Sequence, residues 1–179
     1  MKKKIIFFDG DGTLWYPRKT RHKRHPVWIY RDKRVKEHNK HLTLTPAAIA
    51  TIKKLKEKEI ITIILSTNPY PPKVAESIMR HKTKHFKIEK LFDEVYATRK
   101  YRESKGEFIL RILKKRKIPK SQALMVGDSY AWDYRPAREV GIDALLIKTP
   151  YELVKVPQRY TLKKLSDLVK YLAKEDATR

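Results

Sequence analysis

The sequence contains no cysteine, which excludes disulfides and thiolate metal sites. No apolar run approaches the roughly 18 residues that a membrane-spanning helix needs. The opening Met1-Lys2-Lys3-Lys4 is basic and leads into apolar residues, but these stop at an acid after Ile5-Ile6-Phe7-Phe8. That is too short for a secretory signal. Repeats and low-complexity linkers are missing as well. What remains is expected to be one soluble, cytoplasmic domain over residues 1–179 with no membrane association. Its length suffices for a real core, and 41% hydrophobic content argues against wholesale disorder.

Acids are the other shortage. Twenty Asp and Glu face forty-three Lys and Arg, a formal net charge of +23. Such a field draws anions and supports binding to nucleic acid. A lysine-rich, heat-adapted source is the competing explanation, but that adaptation raises Glu together with Lys, and here the acids lag. Nucleic acid or another polyanion is therefore one expected partner.

The most informative stretch is Ile5-Ile6-Phe7-Phe8-Asp9-Gly10-Asp11-Gly12-Thr13-Leu14-Trp15. Four apolar residues in a row suit a strand buried on both faces at the centre of a parallel sheet. Its end delivers Asp9 to the carboxyl edge, where open α/β sheets place their chemistry. Asp11 follows two residues later, and in an extended chain both carboxylates lean to one side. Close carboxylates repel unless a cation sits near them, and magnesium, with its preference for a few carboxylates and retained waters, answers that need. The competing reading is a strand ending in an ordinary Asp-Gly turn.

Further along, 16–42 is the least regular segment. It holds ten Lys and Arg, four His (His22, His25, His38, His41) and only Asp32 and Glu37 as acids. The strand propensity of Pro26-Val27-Trp28-Ile29-Tyr30 predicts a β-hairpin or flap. The histidine spacings match no zinc pattern, which favours a solvated basic loop. Its cations, interleaved with Tyr16, Trp28 and Tyr30, also suit phosphates and stacked bases.

Thr45-Pro46 reads as a helix cap and first helical position, with Ile49, Ile52 and Leu55 on the buried face. A second buried strand, Ile60 to Leu65, ends in Ser66-Thr67-Asn68-Pro69, and a helix carrying Val74, Ala75, Ile78 and Met79 follows. A third strand lies within Leu91–Ala97. Ser104-Lys105-Gly106-Glu107 has the form of a capping box before a helix burying Phe108, Ile109, Ile112 and Leu113. A fourth strand, Ala123–Val126, ends in Gly127-Asp128-Ser129. A helix over Asp133–Val140 stops at Gly141, and Ala144–Ile147 is a fifth strand. After a proline-punctuated connection, Leu162, Leu165, Leu168, Val169 and Leu172 predict a last helix over about 161–173. This alternation predicts a three-layer α/β sandwich around a parallel sheet with right-handed crossovers.

Asp9 and Asp11, Ser66 and Thr67, Lys105 and Asp128 then fall on one sheet edge. Each hydroxyl or carboxylate alone reads equally as a helix cap. Together they suit phosphate. Lys105 adds its own signal, because a cation in a helix's first turn opposes the helix dipole unless an anion lies nearby.

Asp9-Gly10-Asp11-Gly12-Thr13 resembles the first motif of the haloacid dehalogenase superfamily, D-x-D-x-T, and the following Leu14-Trp15 is similar to its magnesium-dependent phosphatase subfamily. Ser66 or Thr67 resembles the second motif, and Lys105 the third better than Lys100 does. Gly127-Asp128-Ser129-Tyr130-Ala131-Trp132-Asp133 resembles the fourth, G-D-x4-D. The likeness spans about residues 5–150. It implies a Rossmann-like fold and a magnesium-dependent phosphomonoesterase. Asp9 would be the nucleophile that becomes an aspartyl-phosphate, and Asp11 the general acid and base. Ser66 or Thr67 with Lys105 would hold phosphate. Asp9, Asp128 and Asp11 through its backbone carbonyl would ligate Mg2+, with Asp133 a metal-site or lysine-orienting residue. Gly10 is smaller than the family's usual residue and predicts a looser nucleophile loop. Spacings leave no room for a large cap domain, so a capless enzyme with a basic flap and an open site is expected. Phosphatase action on nucleic-acid ends, and a non-catalytic nucleic-acid-binding protein on the same fold, are the alternatives.

Overall fold

The structure is a computed structural model that describes residues 2–99 and 102–177, so Lys100 lies outside the described residues. The elements that build the sheet are β1 (Ile5–Phe8), β4 (Ile61–Asn68), β5 (Glu94–Arg99), β6 (Ala123–Gly127), β7 (Asp143–Ile147) and β8 (Thr161–Leu162). They pair in the order β5-β4-β1-β6-β7-β8, every neighbour parallel. The expected central position of β1 holds, and its four apolar residues divide by alternation. Ile6 and Phe8 enter one core while Ile5 and Phe7 enter the other.

Helices α2 (Ala48–Glu57) and α6 (Asp167–Ala177) cover the Ile6/Phe8 face through Ile52, Leu55, Leu168 and Leu172. Helices α4 (Lys105–Arg116) and α5 (Arg135–Glu139) cover the other through Phe108, Ile109, Ile112 and Ala137. The result is the expected three-layer sandwich. The chain runs from β1 to β4 and β5 on one side, then crosses to β6 on the other. That reversal opens a crevice at the carboxyl end of β1, where doubly wound sheets bind ligands.

Several expectations need correction. Pro26–Tyr30 is not a strand: Pro26 already has helical angles (φ −58°, ψ −20°) and leads into α1 (Val27–Arg31), whose Ile29 is fully buried. One anchoring residue per turn outweighs the β propensity of its neighbours. Strand pairing occurs instead at the stem of the insert, where β2 (Trp15–Pro17) runs antiparallel to β3 (Leu42–Leu44).

Thr45 does not cap α2. Its hydroxyl donates to the Thr13 carbonyl at 2.7 Å, tying the stem to the acidic loop, and the helix starts three residues later. The buried face becomes Ala48, Thr51, Ile52 and Leu55, leaving Ile49 40% exposed. In α3 (Pro72–His85), Val74 is likewise 48% exposed, and the buried face is Ala75, Met79, Lys82 and Thr83. Finally, the last helix does not begin near 161: α6 starts at Asp167, so Leu162 and Leu165 fit the helical stripe by spacing but precede it. Leu162 belongs to β8, which covers the edge of β7; Lys148 N donates to Leu162 O at 2.8 Å.

The capping box at Ser104 is formed in both directions: Glu107 N donates to Ser104 Oγ at 3.1 Å and Ser104 N to Glu107 Oε2 at 2.8 Å. Among the described residues, no helix is long and apolar enough to cross a membrane.

Candidate active site

The loop leaving β1 is held by its own backbone. Gly10 O accepts from Leu14 N at 2.8 Å, and Gly12 N donates to Trp15 O at 2.8 Å. The looseness expected at Gly10 is overturned. A Cβ there would lie 2.6 Å from the Trp15 ring and 2.7 Å from Met79 Cε, so the indole and the thioether fill the space. Gly12 has φ +87°, and a Cβ on it would lie 2.1 Å from Asp128 Oδ2. Gly10→Ala should therefore cost about 1–3 kcal/mol by overpacking, read as a lower urea midpoint with unchanged slope.

Asp9, at the end of β1, meets Lys105, the first residue of α4. The Lys105 side chain is 1% exposed and its Nζ lies 2.5 Å from both Asp9 Oδ1 and Asp133 Oδ1. The anion that Lys105 was expected to need is thus two carboxylates. Asp133 is turned toward it by one widened π-helical turn (Tyr130–Tyr134), and its Oδ2 accepts from Ser129 N at 2.9 Å. Such turns recur at functional sites because they redirect a single side chain. Asp128, at the end of β6, accepts from Tyr151 Oη at 2.6 Å and from Thr13 Oγ1 at 3.3 Å.

Asp9, Asp128 and Asp133 each place a carboxylate oxygen within 4.8 Å of the others. One lysine faces three buried acids. Burial pushes the Asp9 carboxyl up to about 8; Lys105 pulls it down, while Asp133 and Asp128 push it further up. Burial and the Asp133 charge push Asp128 up to about 7, against Tyr151, Lys105 and Thr13. Hard oxygen donors with excess negative charge fit a divalent cation such as Mg2+. The carboxylate of Asp11 stands outside this group, so any ligation by Asp11 falls to its backbone carbonyl.

A stability effect follows. Both raised acids stay protonated in the folded protein where the unfolded chain, with carboxyls near 3.8, has already ionised. Their favourable contribution is complete below that value and is lost as pH rises through 7 and 8. In chelator, the melting temperature should fall between pH 5 and pH 8.5. Added Mg2+ should raise it more at pH 8 than at pH 5, since a cation binds the ionised folded form. Equal shifts at both pH values would contradict the assignment.

Asp11 faces a separate set of donors. Its Oδ1 accepts from Trp15 Nε1 at 2.5 Å, Tyr30 Oη at 2.7 Å and Lys82 Nζ at 3.0 Å, and Lys82 also donates to Tyr30 Oη at 2.7 Å. Burial opposes its charge, but Lys82, Tyr30 and His25 together hold its carboxyl below the ordinary value. Sequence reasoning missed Lys82 and Tyr151, and it named Tyr30 only as a stacking ring, not as a partner of Asp11. Lys82 did leave a signal: it falls on the stripe of Ala75 and Met79 at helical spacing, a lysine on an apolar face. Tyr30 left none once its segment was read as a strand.

Ser66 and Thr67 end β4, and both line a cavity of about 540 Å³ together with Asp9, Asp11, Lys105 and Asp128. The Thr67 hydroxyl is shared with Thr98 Oγ1 at 3.2 Å. The insert walls the same cavity with His25, Tyr30, Arg31 and His38. Among the described residues the three aspartates are the one metal-capable cluster, so the four histidines do not assemble.

The model of the family described as haloacid dehalogenase-like hydrolase matches residues 4–147, a span that contains the four motifs. The chain is 28% identical over 131 residues to a protein of Caldanaerobacter subterraneus subsp. tengcongensis named as a pyrophosphatase, PpaX. That alignment covers 70% of this chain and 56% of the relative, so the chain spans little more than half of the relative's length. A haloacid dehalogenase-like family hydrolase of Streptococcus pneumoniae superposes with a TM-score of 0.69 at 21% identity, covering 94% of this chain and 98% of that one. A HAD phosphatase of Thermococcus onnurineus gives 0.69 at 19% identity, covering 96% and 98%. At these identities the structural likeness is one of fold, whereas the family model reads the sequence itself. The chain belongs to the haloacid dehalogenase-like hydrolases.

Proposed function

We propose that the chain acts as one hydrolase domain and is a magnesium-dependent phosphomonoesterase working through a phosphoenzyme on Asp9. The observation that carries this reading is Lys105, buried between Asp9 and Asp133 at the switch point of the sheet. A buried ion network of this kind is a weak source of stability. Its presence is better explained by a bound phosphate, whose equatorial oxygens need fixed positive charge.

In the first half-reaction an Asp9 carboxylate oxygen attacks phosphorus and the bond from phosphorus to the ester oxygen breaks. Asp11, whose carboxyl Lys82 and Tyr30 hold below the ordinary value in the free protein, would take up a proton as the phosphate binds and pass it to the leaving oxygen. In the second, water attacks the aspartyl-phosphate, Asp11 takes the water's proton, and inorganic phosphate leaves with Asp9 restored. Asp9, Asp128 and the Asp11 carbonyl, with Asp133 beside them, would hold a magnesium ion whose charge screens nucleophile and phosphate from each other. Lys105 pairs with Asp9 and would bind a phosphate oxygen as the attack proceeds. The engagement of Thr67 with Thr98 favours Ser66 as the phosphate-binding hydroxyl.

Phosphate release from p-nitrophenyl phosphate, measured with magnesium and with chelator, tests the reading. Activity undiminished by chelation would overturn the metal requirement. The alternative of a non-catalytic binding protein is disfavoured by the complete set Asp9, Asp11, Lys105 and Asp128 in one cavity.

A further inference from the structure

The 16–42 insert has two different surfaces. Its inner side is built into the protein: Ile29 and Leu42 are fully buried, and His25, Tyr30, Arg31 and His38 wall the cavity. Its outer side is cationic. All ten of its Lys and Arg are exposed, Arg31 at the cavity wall and the other nine outside it. Its two acids are already engaged, Asp32 with Arg34 at 2.8 Å and Glu37 with Lys40 at 2.7 Å. Among the described residues, the other eight cations have no carboxylate partner. A folded element that concentrates unpaired charge at the mouth of a phosphate site has a polyanion as its complement.

Aromatic rings distinguish the kinds of polyanion. Tyr70, after β4, is 53% exposed, and Trp132, on the π-helical turn, is 37% exposed; both line the cavity. On the insert, the Arg24 guanidinium lies 5.2 Å from the centroid of the Trp28 ring, so cations and aromatic surface alternate there too. An acidic phosphopeptide would engage the cations and leave the rings idle. A nucleic-acid strand engages both, with phosphodiesters along the cations and bases against exposed rings.

We propose that the insert is a docking surface for a single nucleic-acid strand and that the substrate of the Asp9 site is the terminal phosphate of that strand. This rests on the phosphatase reading above and names its substrate class. The bond broken joins phosphorus to the terminal sugar oxygen, which leaves as a hydroxyl carrying the proton from Asp11.

The test compares p-nitrophenyl phosphate and an acidic phosphopeptide with single-stranded oligonucleotides phosphorylated at the 3′ or the 5′ end. Two double charge reversals are used: Lys19→Glu with Lys23→Glu on the insert, and Lys114→Glu with Lys115→Glu at the far end of α4. All four side chains are exposed and outside the cavity. The insert pair should lower kcat/KM on an oligonucleotide by roughly tenfold, flatten its salt dependence and leave p-nitrophenyl phosphate unchanged. The α4 pair should change neither substrate by more than about twofold. Equal losses from the two pairs would reduce the effect to net charge and overturn the proposal, as would a wild-type preference for a phosphopeptide. Wild-type protein that binds oligonucleotide but hydrolyses neither substrate would sink the phosphatase reading and leave the docking surface standing. Hydrolysis of p-nitrophenyl phosphate alone would do the reverse.

Discussion

Asp9→Asn should lower turnover of p-nitrophenyl phosphate by about 10⁴-fold or more, the scale on which loss of a covalent nucleophile acts in other enzymes. The amide has nearly the shape of the carboxylate but cannot form the phosphoenzyme. A second readout separates this from misfolding. The wild-type acid is buried and shares one lysine with Asp133, with Asp128 also nearby, so its charge is opposed in the metal-free protein. Removing it should leave the chelator-treated variant at least as stable as wild type at pH 8, with the melting temperature unchanged or raised. Lost activity in a protein of undiminished stability identifies a group kept for chemistry. Activity equal to wild type would sink the mechanism.

The second large effect concerns Lys82 and Tyr30. Both touch Asp11, and Asp11 is the proton shuttle in the proposed reaction, so they act as positioning residues. Tyr30→Phe removes one hydrogen bond, and Lys82→Met removes the charge while keeping an apolar stem. Each should lower kcat by about 10²-fold to 10³-fold, within the range that acid–base groups supply, with little change in KM. The loss should be larger on an alkyl phosphate such as glycerol phosphate than on p-nitrophenyl phosphate, because nitrophenolate leaves without taking a proton. With p-nitrophenyl phosphate the remaining defect lies in the water step, and rapid mixing should show a burst of nitrophenolate followed by slow turnover. A rise in KM with kcat unchanged would instead assign Lys82 to substrate binding. Equal losses on both substrates would reduce the pair to structural support. Lys82→Met also strands the partly buried Asp11 charge and should destabilise the fold. Asp11→Asn added to it should restore stability without restoring activity.

These two predictions differ in how visible their residues were. Asp133 could be named only through the resemblance of G-D-x4-D to the family's fourth motif. Asp9, Asp11, Lys105 and Asp128 could be named from the chain because each follows a local signal: a buried strand that stops, a capping box, a G-D turn. The same is true of Ser66 and Thr67. Five of the six sheet strands were legible for the same reason, as short apolar runs between helical patterns. β8 was not, because two residues carry no period, and Leu162 by chance continued the stripe of Leu165 and Leu168. α1 was misread because its β-branched and aromatic residues favour a strand until Ile29 finds a core to enter.

The chain's own order determined which carboxylates, hydroxyl and lysine reach one edge, since a parallel sheet carries every strand end to the same side. The tertiary structure decided how the acids divide. Asp9 joined Asp128 and Asp133 around Lys105, while Asp11, two residues away, was drawn to a lysine 71 positions later and a tyrosine on the insert. Contacts like these depend on helix register and on how the insert folds back over the sheet. Local spacing carries neither, which is why the motif was readable and its surroundings were not.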